Sequence, residues 1–353
     1  MNRHAHRLSL GTALILLLFL AVSAATAGAL DLVDGRMKLT LHEGNGRFSL
    51  SCQVGGKDGV YVPLIASEDP RTTMLSVVVG NKVYVMGDTA EFSQAVEKTG
   101  SGARFIWRSV TLQVTETFTF VASSDSPVSN GVRIDIAVKN ISQQDISAGV
   151  RYLFDTYLGE ASFVHFRTDT LTQLSNELSL SGASRPAYWV SPLAGDPQDF
   201  GLMVMTSGAG ITVPDRIIFA NWKRLSDASW IYDTSEHRNF SMLPYSVNDS
   251  AACEYFDPRP LPRGAEMTVT MVLGQYSRSG FTPAATTLAQ SLAAAASDGQ
   301  GVRADLSIAN SILAQIDAGI STGTLSDDEL ARLEAALKEL ESRAARYAPH
   351  SGQ

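Results

Sequence analysis

The sequence predicts a mainly β protein: a large antiparallel β-sandwich followed by a C-terminal α-helical hairpin. Apolar residues recur at every second position over much of the chain between residues 32 and 276. Turn signals rich in Gly and Asn separate these stretches, and near residue 281 the spacing changes to that of helices. A period of two indicates strands with one packed face, and many such strands favour two sheets stacked face to face.

Residues 1–27 have the features of a secretory signal peptide. Arg3 and Arg7 precede an apolar run over residues 13–22, which ends in the small residues 23–27. This order of charge, apolar core and small residues is typical of a cleaved leader. No second apolar run of about 20 residues follows, so we expect no transmembrane anchor after cleavage. The expected location is the periplasm or the outside of the cell.

Residues 28–280 are predicted to form the β-sandwich domain. In residues 131–139, Val132, Ile134, Ile136 and Val138 alternate with more polar side chains. The chain has 353 residues, a formal net charge of -8 and no basic cluster. An acidic chain of this kind argues against a nucleic-acid partner, because phosphate binding depends on clustered Lys and Arg.

Residues 281–348 are predicted to be helical. An Ala-rich segment follows the Thr-Pro pair at 282–283, and apolar residues then recur at spacings of three and four in residues 302–320 and 330–347. Ser326 and Glu329 form a capping box for the last helix. The two helices predict an αα-hairpin, which either packs on the protein itself or serves self-association through residues 302–347.

Cys52 and Cys253 are the only cysteines. An oxidising compartment allows a disulfide between them. Cys52 also alternates with Phe48 and Leu50 as the buried face of a strand, where a free thiol behaves as a small apolar group. Both alternatives remain open from the sequence.

The first group of candidate functional residues follows an apolar strand that begins near Arg151. Asp155 and Thr156 are expected at the end of that strand, where a carboxylate commonly satisfies backbone N–H groups. Glu160 and His165 come next and could form a general acid–base pair.

The second group lies between residues 221 and 257. Aromatic rings stack on the C–H faces of sugars while carboxylates bind hydroxyl groups, so this composition predicts a ligand site, with packing at the end of the sandwich as the alternative. His237 and Asp249 are further acid–base candidates. The predicted ligand-binding residues are Trp222, Trp230, Tyr232 and Glu254.

No cofactor or metal site is predicted. The histidines at 42, 165 and 237 are far apart in sequence and form no pair at metal-ligand spacing. Phosphate-binding, nucleophile-elbow and calcium-loop motifs are absent from the sequence.

Residues 131–142, followed by residues 149–156, form a strand–turn–strand pattern. This pattern, with residues 248–251 and 264–274, resembles exported bacterial supersandwich proteins of the galactose-mutarotase-like type. The resemblance implies the fold of carbohydrate-active proteins. Mutarotase-type enzymes use two histidines and a carboxylate, and His165 and His237 lack the surrounding signature, so no catalytic role is carried over.

Because no specific catalytic spacing is present, the sequence favours a non-enzymatic exported protein of the cell envelope. Its sandwich would present a surface to a glycan or an envelope protein, or serve a structural role. The alternative is a carbohydrate-active enzyme of epimerase or lyase type, using His165 or His237 with Glu160 or Asp249.

Overall fold

The computed structural model describes residues 28–54, 59–66, 69–126, 128–193, 195 and 199–281, and the single positions 309, 312, 333, 334, 337, 338, 340 and 341. The predicted signal peptide at residues 1–27 lies outside the described residues. So does nearly all of the predicted helical hairpin, which therefore stays a prediction.

The described chain begins with a four-stranded antiparallel sheet in sequential order. In its second and third strands buried residues alternate with half-buried ones, and Phe48, Leu50 and Cys52 all face the core as the sequence predicts. The strands are β1 (Ala29–Asp34), β2 (Met37–His42), β3 (Arg47–Gln53) and β4 (Tyr61–Pro63).

An eight-stranded antiparallel sheet forms one large layer, in the order β12-β14-β15-β18-β10-β9-β8-β7. Its centre is β10, which pairs with β9 on one side and β18 on the other. The strands are β7 (Ser93–Thr99), β8 (Gly102–Arg108), β9 (Leu112–Val121), β10 (Gly131–Asn140), β12 (Arg167–Thr168), β14 (Tyr188–Pro192), β15 (Gly201–Met205) and β18 (Glu266–Gln275).

A six-stranded antiparallel sheet has the order β13-β16-β17-β11-β5-β6. The two longest of its strands, β11 and β17, pair at its centre. The strands are β5 (Met74–Val79), β6 (Lys82–Val85), β11 (Ile146–Thr156), β13 (Leu178–Ser181), β16 (Arg216–Asn221) and β17 (Ser250–Leu261). The prediction of a mainly β protein built from antiparallel sheets is confirmed.

The main core joins all three sheets. Leu39 of the first sheet, Phe118 and Ile134 of the eight-stranded sheet, and Phe154 and Phe219 of the six-stranded sheet belong to one buried apolar cluster. Since successive side chains of a strand point to opposite faces, the remaining residues of β11, β16 and β17 point away from this core.

Those residues form a second, smaller core on the outer face of the six-stranded sheet. Leu153, Ile218 and Tyr255 are buried there, and the short helix α1 (Trp222–Asp227) covers them through Leu225. The Asn221 side chain caps α1, since its Oδ1 accepts a hydrogen bond from the Arg224 N–H at 3.2 Å. Among the described residues, no helix has both the length and the apolarity needed to cross a bilayer.

Cys52 and Cys253 are both free, buried thiols. Cys52 lies 3.4 Å from Gln275 Oε1, in the main core. Cys253 belongs to the outer core, where it lies 3.1 Å from Arg151 Nε. The disulfide alternative is therefore wrong, because the two thiols occupy different cores on opposite faces of the six-stranded sheet.

Candidate functional site

Three carboxyl groups meet where β11 ends and β17 begins. Asp155 is the penultimate residue of β11, and Glu160 begins a 3₁₀ turn a few residues later. Asp249 immediately precedes β17. Because β11 and β17 are antiparallel and Thr156 pairs with Ser250, the end of one strand lies beside the start of the other. We call Asp155, Glu160 and Asp249 the carboxyl cluster.

Glu160 is fixed against the first residue of β17. The Ser250 N–H donates to Glu160 Oε1 at 2.9 Å. The Glu160 side chain is half-buried, and burial, followed by the charges of Asp249 and Asp155, raises its pKa to about 7. The carboxyl group can therefore exchange its proton near neutral pH.

Asp155 lies on the outer face of the six-stranded sheet, in the row that contains Ala251. It is 9% exposed, and the neighbouring Thr72 side chain acts to lower its pKa. Burial is the main reason why the pKa of Asp155 rises to about 7, and the charges of Asp249 and Asp69 act in the same direction. The backbone N–H of Asp155 donates to Thr73 Oγ1 at 3.1 Å.

Asp249 is half-buried beside these two groups, and burial raises its pKa, against a hydrogen bond from Ser246. Its backbone carbonyl accepts two hydrogen bonds, from the Trp222 N–H at 3.0 Å and from Asn221 Nδ2 at 3.0 Å. The position of the carboxyl-bearing residue is thus set by the end of β16 and the start of α1.

The carboxyl cluster can act as both acid and base. Two of its members have pKa values raised to about 7, so each can take up or release a proton near neutral pH. Glu160 and Asp249 are half-buried and so reachable from solvent. Within the part of the chain that the structure describes, no group of three or more His, Cys, Asp or Glu is arranged to hold a metal ion.

Two exposed rings lie on the segments that carry the cluster. Phe163 follows the 3₁₀ turn of Glu160 and is 60% exposed. Tyr245 is 73% exposed and lies in the turn closed by the Ser246 N–H, which donates to the Met242 carbonyl at 3.0 Å. Ser246 in turn hydrogen-bonds the Asp249 carboxyl group.

The structure does not join the predicted histidines to this cluster. His165 is 3% exposed and packs against Phe240, with 4.5 Å between ring centroids. Burial lowers its pKa to about 4, so the ring is neutral at pH 7. His237 is exposed on a loop. Across the described residues, no hydrogen bond links either histidine to Glu160 or Asp249.

Three of the four predicted ligand-binding residues lie together over the outer core. Trp222 Nε1 donates to the Thr72 carbonyl at 2.9 Å. Trp230 makes an edge-to-face contact with Tyr255, with 5.7 Å between centroids. The Tyr232 hydroxyl donates to Glu177 Oε1 at 2.7 Å. Each side chain thus has a contact within the protein.

Glu254, the fourth predicted residue, lies on the opposite face of β17. It is 1% exposed between the sheets, where Trp189 Nε1 donates to its Oε1 at 2.9 Å. Burial raises its pKa to about 8. The structure therefore does not bring Glu254 together with Trp222, Trp230 and Tyr232.

Sequence reasoning missed the residues that support the cluster. Thr72 precedes β5, far from the two candidate groups, and nothing in its sequence context indicates a role. Asp155 itself was expected at a strand end, and β11 does end at Thr156. Its meeting with Asp249 could not be foreseen, because it depends on the pairing of β11 with β17.

No protein-family model matches the chain, and no curated protein matches it. Among solved structures, the fold resembles a galactose mutarotase-like protein from Lactobacillus casei at 10% identity and a TM-score of 0.44, covering 70% of this chain and 100% of that chain. It also resembles a putative aldose 1-epimerase from Escherichia coli K12 at 10% identity and a TM-score of 0.40. That match covers 70% of this chain and 99% of the other.

A third similar structure is a polysaccharide lyase, at 12% identity and a TM-score of 0.42. The match covers 71% of this chain and 33% of the lyase, so it spans about a third of that protein. The predicted resemblance to galactose-mutarotase-like proteins is confirmed as a weak, partial likeness. The prediction of a non-enzymatic protein is contradicted: the similar structures carry the names of a polysaccharide lyase and a putative aldose 1-epimerase, which agree better with its alternative, a carbohydrate-active enzyme.

Proposed function

We propose that the protein is an enzyme that performs acid–base chemistry on a carbohydrate at the carboxyl cluster. The observation that carries this proposal is the meeting of Asp155, Glu160 and Asp249 at the β11–β17 strand ends, with two pKa values of about 7. Groups with perturbed proton affinities that share one accessible site are typical of catalytic acids and bases.

The chemistry that fits is of epimerase or lyase type. Epimerisation of an aldose at its anomeric carbon needs a base for the hydroxyl proton and an acid for the ring oxygen. A lyase needs a base for a C–H proton and an acid for the departing glycosidic oxygen. One ionised and one protonated carboxyl group supply both functions in either reaction. In this proposal the carboxyl groups replace the histidine–carboxylate pairs expected from the sequence.

The exposed rings support a carbohydrate as the substrate. Phe163 and Tyr245 lie on the segments that position Glu160 and Asp249, and both rings face solvent. Aromatic rings beside polar groups bind sugars because the C–H faces stack while the hydroxyl groups form hydrogen bonds.

The test uses the purified chain and two assays. Proton NMR follows the interconversion of anomers in freshly dissolved aldoses, and ultraviolet absorbance follows the unsaturated products of polysaccharide cleavage. We expect Asp155→Asn, Glu160→Gln and Asp249→Asn each to reduce the observed rate by about 100-fold or more, the usual contribution of a general acid or base.

Asp31→Asn is the matched control, since Asp31 is an exposed carboxylate of β1 that pairs with Lys38 at 3.5 Å. Its rate should equal that of the unmodified protein. Full activity in all three cluster variants would remove the basis of the proposal, as would the absence of both activities across neutral, amino and uronic acid sugars.

We also propose that the enzyme is exported, on the strength of residues 1–27. Expression of the full chain in a Gram-negative host, followed by N-terminal sequencing of the periplasmic and external fractions, tests this. A mature protein that begins near residue 28 is expected. An uncleaved protein confined to the cytoplasm would contradict export.

A further inference from the structure

Trp222 connects the two segments that support Asp155 and Asp249. Its indole Nε1–H donates to the Thr72 carbonyl at 2.9 Å, and its backbone N–H donates to the Asp249 carbonyl at 3.0 Å. The next residue, Thr73, contacts Asp155 directly: its Oγ1 accepts a hydrogen bond from the Asp155 backbone N–H at 3.1 Å. Trp222 therefore hydrogen-bonds both the segment that contacts Asp155 and the backbone of Asp249.

Asn221 fixes Trp222 in this place. It is fully buried, and its Oδ1 caps α1, of which Trp222 is the first residue. Its Nδ2 donates to Ser246 Oγ at 2.8 Å, and Ser246 hydrogen-bonds the Asp249 carboxyl group. The backbone of Trp222 thus has a defined position, and only its indole N–H reaches across to the 3₁₀ turn Pro70–Thr72.

We infer that Trp222 is a positioning residue. Its two N–H groups keep the Asp155 and Asp249 carboxyl groups at a fixed distance from each other. The sequence assigns Trp222 to ligand binding, but its indole N–H donates inside the protein. The inference rests on the proposed function only for the use made of the carboxyl groups. The hydrogen bonds themselves do not depend on that function.

The indole bond also holds the segment that contacts Asp155. Thr72 ends the 3₁₀ turn Pro70–Thr72 and Thr73 follows it, and both residues lie beside Asp155. The charged groups that face Asp155 are Asp249, Glu160 and Asp69, and Asp69 is itself paired with Arg71 at 2.7 Å. If the turn detached, Asp155 would lose the Thr72 side chain, which lowers its pKa, but it would gain hydration, and this larger effect stabilises the ionised form.

The experiment compares Trp222→Phe with Trp230→Phe. Both variants keep an aromatic ring on the same face of the sheet, but only Trp222→Phe removes a hydrogen bond to the 70–72 turn. NMR of protein labelled with ¹³Cγ-aspartate follows the titration of Asp155, assigned with Asp155→Asn. We expect the midpoint to fall by about one pH unit or more, a tenfold change in proton affinity, in Trp222→Phe only.

An unchanged Asp155 midpoint in folded Trp222→Phe overturns the inference. If that variant does not fold, β-(3-benzothienyl)alanine at position 222 replaces the N–H with sulfur at nearly constant shape, and the same shift is expected. The titration needs no substrate, so it is separate from the proposed function. If the Asp155 midpoint shifts but the protein has no carbohydrate activity, only the proposed function is refuted. If the protein is active but the midpoint does not shift, only the positioning role of Trp222 is refuted.

Discussion

The Tyr152 hydroxyl donates a hydrogen bond to Glu116 Oε1 at 2.6 Å, from the six-stranded sheet to the eight-stranded sheet. Trp189 and Glu254 form a similar contact in the reverse direction. Each buried glutamate therefore has one donor from the opposite sheet. Burial is the main cause that raises the pKa of Glu116 to about 7 and that of Glu254 to about 8.

The first prediction is that stability falls as pH rises from 6.5 to 8. The folded protein holds protons on Glu116 and Glu254 that the unfolded chain, with an ordinary pKa of 4.5, has already lost. Because the folded state binds more protons, the free energy of unfolding decreases with pH, by up to about 1.4 kcal/mol per pH unit for each carboxyl group. Urea denaturation at a series of pH values measures this slope.

Glu254→Gln should reduce the slope, since the amide does not titrate while its oxygen still accepts from Trp189. Glu97→Gln is the control, because Glu97 is exposed on β7 and pairs with Arg104. The window begins at 6.5 because His165 has the opposite effect below pH 6.5. Its pKa is about 4 in the folded protein and 6.5 in the unfolded chain, so between these pH values the unfolded chain binds more protons and stability rises with pH. An identical slope in Glu254→Gln and the unmodified protein would refute the assignment.

The second prediction concerns Glu177, whose side chain is fully buried. Its carboxylate accepts from Arg224 Nη1 at 2.8 Å, from the Tyr232 hydroxyl at 2.7 Å and from the Ser235 N–H at 3.1 Å. Glu177→Ala leaves all three donors without this acceptor, and we expect a loss of about 3–5 kcal/mol in unfolding free energy.

Hydrogen exchange should also become faster in residues 232–240, because Glu177 holds that loop. Asp227→Ala provides the comparison: it breaks an exposed ion pair with Lys223 and should cost less than about 1 kcal/mol. Equal unfolding free energies of Glu177→Ala and Asp227→Ala would show that the three hydrogen bonds to Glu177 do not stabilise the loop.

The third prediction uses two glycines of the β7–β8 hairpin. A Cβ at Gly102 would lie 2.0 Å from the backbone oxygen of Phe118, which cannot move without disturbing β9. Gly102→Ala should therefore lower the unfolding free energy by about 1–3 kcal/mol or more. A Cβ at Gly100 meets nothing within 4 Å, so Gly100→Ala should leave thermal unfolding unchanged. Similar melting temperatures for both variants would be inconsistent with this packing.

The fourth prediction is a rate maximum near pH 7 for the proposed carbohydrate reaction. Asp155 and Glu160 have raised pKa values of about 7, so the ionised base is lost below that pH and the protonated acid above it. Glu160→Gln should remove one limb of the rate–pH profile while leaving the other. Retention of both limbs in that variant would show that Glu160 is not one of the titrating groups.

The sequence by itself determined the strands, because a period of two is a local property of the chain. In β10 it placed Val132, Ile134, Ile136 and Val138 on the buried face. It also placed Asp155 and Thr156 at a strand end. These features require no knowledge of which strands are neighbours.

The period failed in β17, where residues 250–256 are all buried. Both faces of that stretch are covered, by the main core on one side and the outer core on the other. The sequence could not show that Glu254 points away from Tyr255 and Cys253 into the main core, so it grouped Glu254 with the outer aromatic residues.

Only the tertiary structure decided the carboxyl cluster. Glu160 and Ser250 are 90 positions apart in sequence, and the antiparallel pairing of β11 with β17 brings them within 2.9 Å. The raised pKa values follow from that pairing, since burial and neighbouring charge are properties of the assembled strand ends. Local patterns fix where a strand ends, whereas the choice of neighbouring strand fixes which side chains meet there.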